Sequence, residues 1–153
     1  MVLANAVTLV KEYRKTGKQQ PLSLISPKDV GVGMIDPNDV GAFAAYVLAS
    51  ENPEVHNGKR YVLNGPEDIS GQGIVDLVER EIGAKVEHVV YKDLSWLDDL
   101  AQGPHKALTL SIKSEVETSW EGKCGTDTTS KEVVGIWAPK TTPAQAFKGY
   151  LEG

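Results

Sequence analysis

Leu3, Val7 and Val10 recur at helical spacing with Ala6 beside them, and Gly17 stands where such a helix would stop. Lys11, Arg14 and Lys15 then fall in its last turns, where cations complement the helix dipole. The short apolar runs PLSLI (21–25) and VGVGMI (30–35), parted by Ser26-Pro27-Lys28-Asp29, predict two buried strands. Asp36 can cap the next helix, Pro37 fits its first position and Asp39 adds first-turn negative charge. Val40, Phe43, Ala44, Val47 and Leu48 follow at i, i+3, i+4, i+7 and i+8, which predicts a continuous core stripe.

After the polar stretch SENPEVHNGK, RYVLNG (60–65) reads as a strand ended by Asn64-Gly65-Pro66. Ser70 caps a helix with Ile74, Val75, Leu77, Val78 and Ile82 inward and Gly83 as its stop, and KVEHVVY (85–91) is the next strand. This alternation predicts an α/β fold, a small, partly parallel sheet with flanking helices. Beyond Tyr91 the pattern is helical. Asp93 caps a short helix with Leu94, Leu97 and Leu100 inward, and Pro104 opens a longer one carrying Leu108, Ile112, Val116 and Trp120. EGKCGTDTTS (121–130) is a loop, Ser130 caps KEVVGIW, and Thr142-Pro143 starts a last helix through Phe147, Tyr150 and Leu151. At 153 residues the chain is expected to be a single domain, 1–153.

Composition narrows the function classes. Apolar and charged fractions of 41% and 24% are ordinary for a globular protein. A net charge of −5 disfavours nucleic acid, and Glu12 interrupts the one basic stretch, KEYRKTGK (11–18). Cys124 is the single cysteine, so an internal disulfide and a CxxC zinc site are excluded and a reducing compartment is expected. No apolar run approaches about 18 residues and no signal-peptide order opens the chain, so the expectation is a cytoplasmic protein with no membrane partner.

Two glycine pairs, Gly31-Val-Gly33 and Gly71-Gln-Gly73, invite a dinucleotide reading, but Asp36 and Asp76 occupy the third-glycine positions. A carboxylate there repels a pyrophosphate, so no nucleotide cofactor is expected. No tyrosine stands four residues before a lysine, as short-chain dehydrogenase chemistry requires, and no G-x-S-x-G elbow occurs. His56, His88 and His105 lack metal-ligand spacing, so no metal is expected. His56 reads as a solvated loop residue, and His88 as a hydrogen-bonded core or sheet-surface histidine sharing a face with Val86 and Val90. His105, at the start of the long helix, lies near amides that could help bind an anion or a polarised carbonyl. Trp96, Trp120 and Trp137 read as core, yet grouped with Tyr91, Leu97 and Met34 they would suit an apolar pocket with few polar groups. The candidate site therefore has Tyr91 and His105 as catalytic groups and Met34, Trp96, Leu97 and Trp120 as substrate contacts, with Trp120 packing behind.

MIDPNDVGAFAAYVLAS, then HNGKRYVLNGPEDIS leading into a helix, and the closing APKTTPAQAF together resemble the C-terminal portion of NmrA-like proteins, atypical members of the short-chain dehydrogenase/reductase group. The resemblance covers roughly residues 5 to 150. It implies the last sheet strands and substrate-side cap of a Rossmann protein without the glycine-rich nucleotide half, and it makes Asp36 a structural cap. Three functions follow. One is a cofactor-independent isomerase or pericyclic cyclase of Diels–Alder type, acting on an apolar substrate of secondary metabolism. The others are a non-catalytic regulator that binds a protein partner, and the substrate-binding fragment of an NAD(P)-dependent reductase. The absent half would leave the 31–35 strand edge and the Leu3, Val7, Val10 face in water, so a homodimer is expected.

Overall fold

A computed structural model describes residues 2–100 and 106–153. The element order is α1 (Ala4–Thr16), β1 (Leu22–Ser23), α2 (Pro37–Leu48), a 3-10 turn (Pro53–His56), α3 (Gly71–Ile82), β2 (Val89–Val90), α4 (Ser95–Leu100), α5 (Lys106–Trp120), a second 3-10 turn (Thr126–Thr128), α6 (Lys131–Ile136) and α7 (Pro143–Glu152). The chain is mixed α/β and mostly helical. Its sheet is one parallel pair, with Leu22 opposite Val89 and Ser23 opposite Val90.

Local signals in the sequence set the helix ends. Gly17 and Gly83 close α1 and α3 in the left-handed conformation, each with φ of 68°. The Ser70 hydroxyl accepts the Gly73 N–H, Asp36 accepts the Asn38 N–H, and Thr142 and Gln145 form a reciprocal capping box at α7. Ser130 holds the cap position of α6, but its hydroxyl accepts the Val62 N–H instead of a helix amide.

The core is built by α1 lying on α3 and α7. Leu3, Ala6, Leu9 and Val10 meet Leu22 and Leu24, Ile74, Val75 and Val78, and Ala146 and Phe147, all buried. Leu3 and Val10 are thus covered within the chain, and Val7 is packed against the same cluster. The segment expected as the other exposed edge is also covered. Val32 and Ile69 exchange two backbone hydrogen bonds, and the Gly33 N–H donates to the Cys124 carbonyl. The surface from which a homodimer is expected is therefore largely covered within the chain: Leu3, Val10 and Gly33 are buried, and Val7, Val32, Met34 and Ile35 are half-buried.

Two of the four expected strands do not form. Residues 30–35 have only an isolated antiparallel bridge, Val32 to Ile69, and a tight turn in which the Met34 N–H donates to the Val32 carbonyl, and residues 60–65 form no ladder. The glycines explain this: they let backbones approach without side chains to pack, and loop groups replace a ladder. Gly65 donates to the Gly33 carbonyl, and Ser130 clamps Val62 through both its hydroxyl and its N–H.

The expected core stripe of α2 is also corrected. Phe43 is buried, edge-on to Tyr61 at 5.3 Å, whereas Val40, Ala44 and Leu48 are exposed, Leu48 by 84%. α2 rests chiefly on α6 and the Pro53–His56 turn, which cover one narrow side. In α5, Leu108 is exposed while Ile112, Val116 and Trp120 are half-buried. Pro104 and His105 lie outside the described residues.

Candidate functional site

The parallel pair ends in Leu24-Ile25 on one strand and Tyr91-Lys92-Asp93 on the other. The ladder hydrogen bonds continue past the strands themselves, with the Leu24 N–H on the Val90 carbonyl and the Asp93 N–H on the Leu24 carbonyl. A cavity of about 440 Å³ opens here, lined by Ala4 and Asn5 of α1, Ser23 and Ile25, and Asp93, Ser95 and Trp96. Cavities outside the carboxyl ends of parallel strands are where open α/β folds commonly hold ligands.

Each wall has a local cause. The Asn5 side-chain amide donates to the Ser23 carbonyl at 2.8 Å, which fixes the start of α1 against β1. Asp93 accepts the Ser95 N–H at 3.0 Å. Hydrogen bonds from Ser95 and from the Ser23 hydroxyl hold its carboxyl below the usual carboxylate range, so Asp93 is an anion at neutral pH. Trp96 leaves 46% of its surface in solvent and lines the cavity. Behind, the Trp120 indole N–H donates to the Ile25 carbonyl at 2.8 Å, and the Lys92 ammonium sits 5.0 Å from the Trp120 ring centroid.

The residues expected to share one pocket are dispersed around this end of the fold. Trp96 lines the cavity, and Trp120 braces it through Ile25. Leu97 is fully buried and serves packing. Met34 lines a different cavity, with Val2, Leu3 and Tyr150. The Tyr91 ring lies against Gly71 and its hydroxyl donates to Gln72 at 3.3 Å; burial, and then the charges of Asp29 and Asp76, raise its phenol above the ordinary tyrosine value. His88 is exposed on the strand surface. His56 is not a solvated loop residue: it is half-buried, and its Nδ1 lies 2.7 Å from the Tyr61 hydroxyl. Sequence reasoning missed Asn5 and Ser23 and gave Asp93 a capping role alone. The local signal at Asp93, three residues past Val90 and two before Ser95, marks a helix cap and no more.

The glycine pairs serve close packing. A Cβ on Gly33 would stand 2.7 Å from the Asn64 Cβ, and one on Gly71 would stand 2.6 Å from the Pro27 carbonyl oxygen. At the start of α3 the N–H groups of Gly71, Gln72 and Gly73 donate to the carbonyls of Pro27 and Lys28 and to the Ser70 hydroxyl. These are the groups a pyrophosphate would need. Calorimetry with NADH and NADPH is expected to give no binding tighter than about 10 μM, a threshold of roughly −7 kcal/mol. Tighter binding would place a nucleotide on other amides.

Among the described residues no three His, Cys, Asp or Glu side chains stand together as a metal site, and no helix is long and apolar enough to cross a membrane. No family model, curated protein or solved structure matches the chain.

Proposed function

We propose that the chain is the substrate-side part of an NmrA-like Rossmann fold and acts without a nucleotide, as an isomerase or pericyclic cyclase on an apolar substrate. The supporting observation is the Trp96 cavity at the carboxyl ends of the parallel pair, with the Asp93 carboxylate and the Trp96 indole in its lining. The stretches carrying the resemblance also meet in space: Asp39 accepts the N–H groups of Lys140 and Thr141, and Phe43 packs on Tyr61.

In this reading the Trp96 face and Ile25 hold the substrate, and Trp120 keeps Ile25 in place. Asp93 accepts one hydroxyl from the substrate and sets its orientation, because a carboxylate has acceptor capacity beyond the Ser95 and Ser23 contacts. Rearrangement of bonds within one molecule consumes no co-reactant, and holding the reacting carbons in a near-attack geometry can lower the barrier by up to ~7–11 kcal/mol in favourable cases. Tyr91 lies outside this cavity and donates to Gln72, so among the described lining residues the acidic contact falls to Asp93, beside the polar Asn5, Ser23 and Ser95.

The test uses 1-naphthol, an apolar ring with one hydroxyl, titrated into the labelled protein and followed by amide and indole resonances. Shifts are expected at Trp96, Asn5 and Ser23. Trp96→Ala should weaken binding about tenfold, ~1.4 kcal/mol, with little change in the melting temperature because the indole is half-exposed. Unchanged affinity in that variant would remove the site. A folded protein with no naphthol shifts would favour the regulator reading, for which the uncovered Val40, Tyr46 and Leu48 of α2 offer a partner surface.

A further inference from the structure

A second pair of cavities, of about 280 and 330 Å³, has Asp36 and Tyr150 as a common wall. The first is apolar, with Leu3, Met34, Ile35 and Pro37 around the carboxylate. The second runs past Thr141 and Gln145. Asp36 is only 6% exposed. Its Oδ1 accepts the Asn38 N–H at 2.8 Å, and its Oδ2 accepts the Tyr150 hydroxyl at 3.3 Å. The latter is long for a hydroxyl on a carboxylate, which ordinarily closes to about 2.5–2.7 Å. Burial and then the adjacent Asp36 raise the Tyr150 phenol above its ordinary value, so it stays a neutral donor.

Among the described residues no lysine or arginine reaches ion-pair distance of Asp36, and none reaches the equally buried Asp39 three residues on. Among the described residues, then, the Asp36 carboxylate is met only by neutral donors, the Asn38 N–H and the Tyr150 hydroxyl. The cleft therefore combines a carboxylate oxygen that holds one long hydrogen bond, apolar walls and room for a short chain. An anion would be repelled, and a neutral alcohol would leave the charge unmatched.

We propose that this cleft binds a small organic amine, with a protonated primary ammonium group donating to Asp36 Oδ2 and its alkyl or aryl body lying against Leu3, Met34, Ile35 and Pro37. Tyr150 shares the carboxylate and closes the far side. The site uses none of the residues of the Trp96 cavity, so its test is independent of the function proposed above.

The probe is n-hexylamine at neutral pH, with 1-hexanol and hexanoate as the neutral and anionic matches, titrated against the labelled protein. Hexylamine is expected to shift Met34, Ile35 and Tyr150 and to bind at least about tenfold tighter than hexanol, ~1.4 kcal/mol, while hexanoate gives no shifts there. Asp36→Asn retains a good helix cap and should weaken hexylamine about tenfold while leaving hexanol unchanged. Tyr150→Phe removes the competing hydroxyl and should bind hexylamine at least as tightly as the natural protein, which keeps the test decisive if Asp36→Asn does not fold. The proposal falls if hexanol matches hexylamine, if a folded Asp36→Asn binds hexylamine unchanged, if Tyr150→Phe loses binding, or if no shifts arise by about 10 mM, a free energy of only ~2.7 kcal/mol.

Discussion

Gly65→Ala is expected to lower the stability of the fold by ~3 kcal/mol, the upper end of overpacking costs in a tightly packed interior. Gly65 is buried, and a Cβ on it would stand 2.0 Å from the Met34 carbonyl oxygen and 3.5 Å from the Ile35 Cα. These are backbone atoms and cannot rotate aside as a side chain would. Relief requires the 33–36 segment to move away from 64–66, which also strains the hydrogen bond from the Gly65 N–H to the Gly33 carbonyl. Gly135, inside α6, is the control: nothing lies within 4 Å of its added Cβ, and alanine there should stabilise by up to about 1 kcal/mol through helix propensity. Urea unfolding of the two variants reads the difference directly. A Gly65→Ala midpoint within error of the natural protein would mean that the two segments are not in contact.

Asp39→Ala should cost ~2–3 kcal/mol. Its Oδ2 accepts two backbone N–H groups, those of Thr141 at 2.8 Å and Lys140 at 3.0 Å, and the residue is buried. Hydrogen bonds to a charged acceptor are worth more than neutral ones, and removing the acceptor leaves two donors unsatisfied. Asp39→Asn keeps an amide oxygen and should lose about half as much. Hydrogen exchange sharpens the test, since Asp39→Ala should speed exchange at Lys140 and Thr141 while the amides of α3 keep their protection. Equal protection at Lys140 and Thr141 in both variants would assign those amides another acceptor.

Ser70, Gly83, Thr142 and Asp36 were legible as helix boundaries because a cap is decided by residues within four positions of each other. The strands at 30–35 and 60–65 were misread for the converse reason. An apolar run becomes a strand only when a distant partner offers a ladder, and here Gly33 and Gly65 bring the backbones together without one. The α2 stripe shows the same limit, for a 3.6-residue period marks which face could be buried and says nothing of whether anything covers it. Of the candidate site, Trp96 could be singled out as an aromatic at the sheet's end. Asn5, Ser23 and Asp93 could not, since small polar residues gain a site only when three separated segments meet.

The parallel pair also sets a timetable for a chain growing from the ribosome. β1 cannot complete its ladder until β2 emerges about 67 residues later, which at about 5–20 residues per second is a wait of roughly 3–13 s. The indole that steadies Ile25 arrives later still, 95 residues on. The last wall of the core, Ala146 and Phe147, follows Leu3 by about 140 residues, so Leu3 and Val10 stay incompletely sheltered for roughly 7–28 s of synthesis at the same rate. The first helix is therefore open to chaperones until α7 has followed it out of the ribosome.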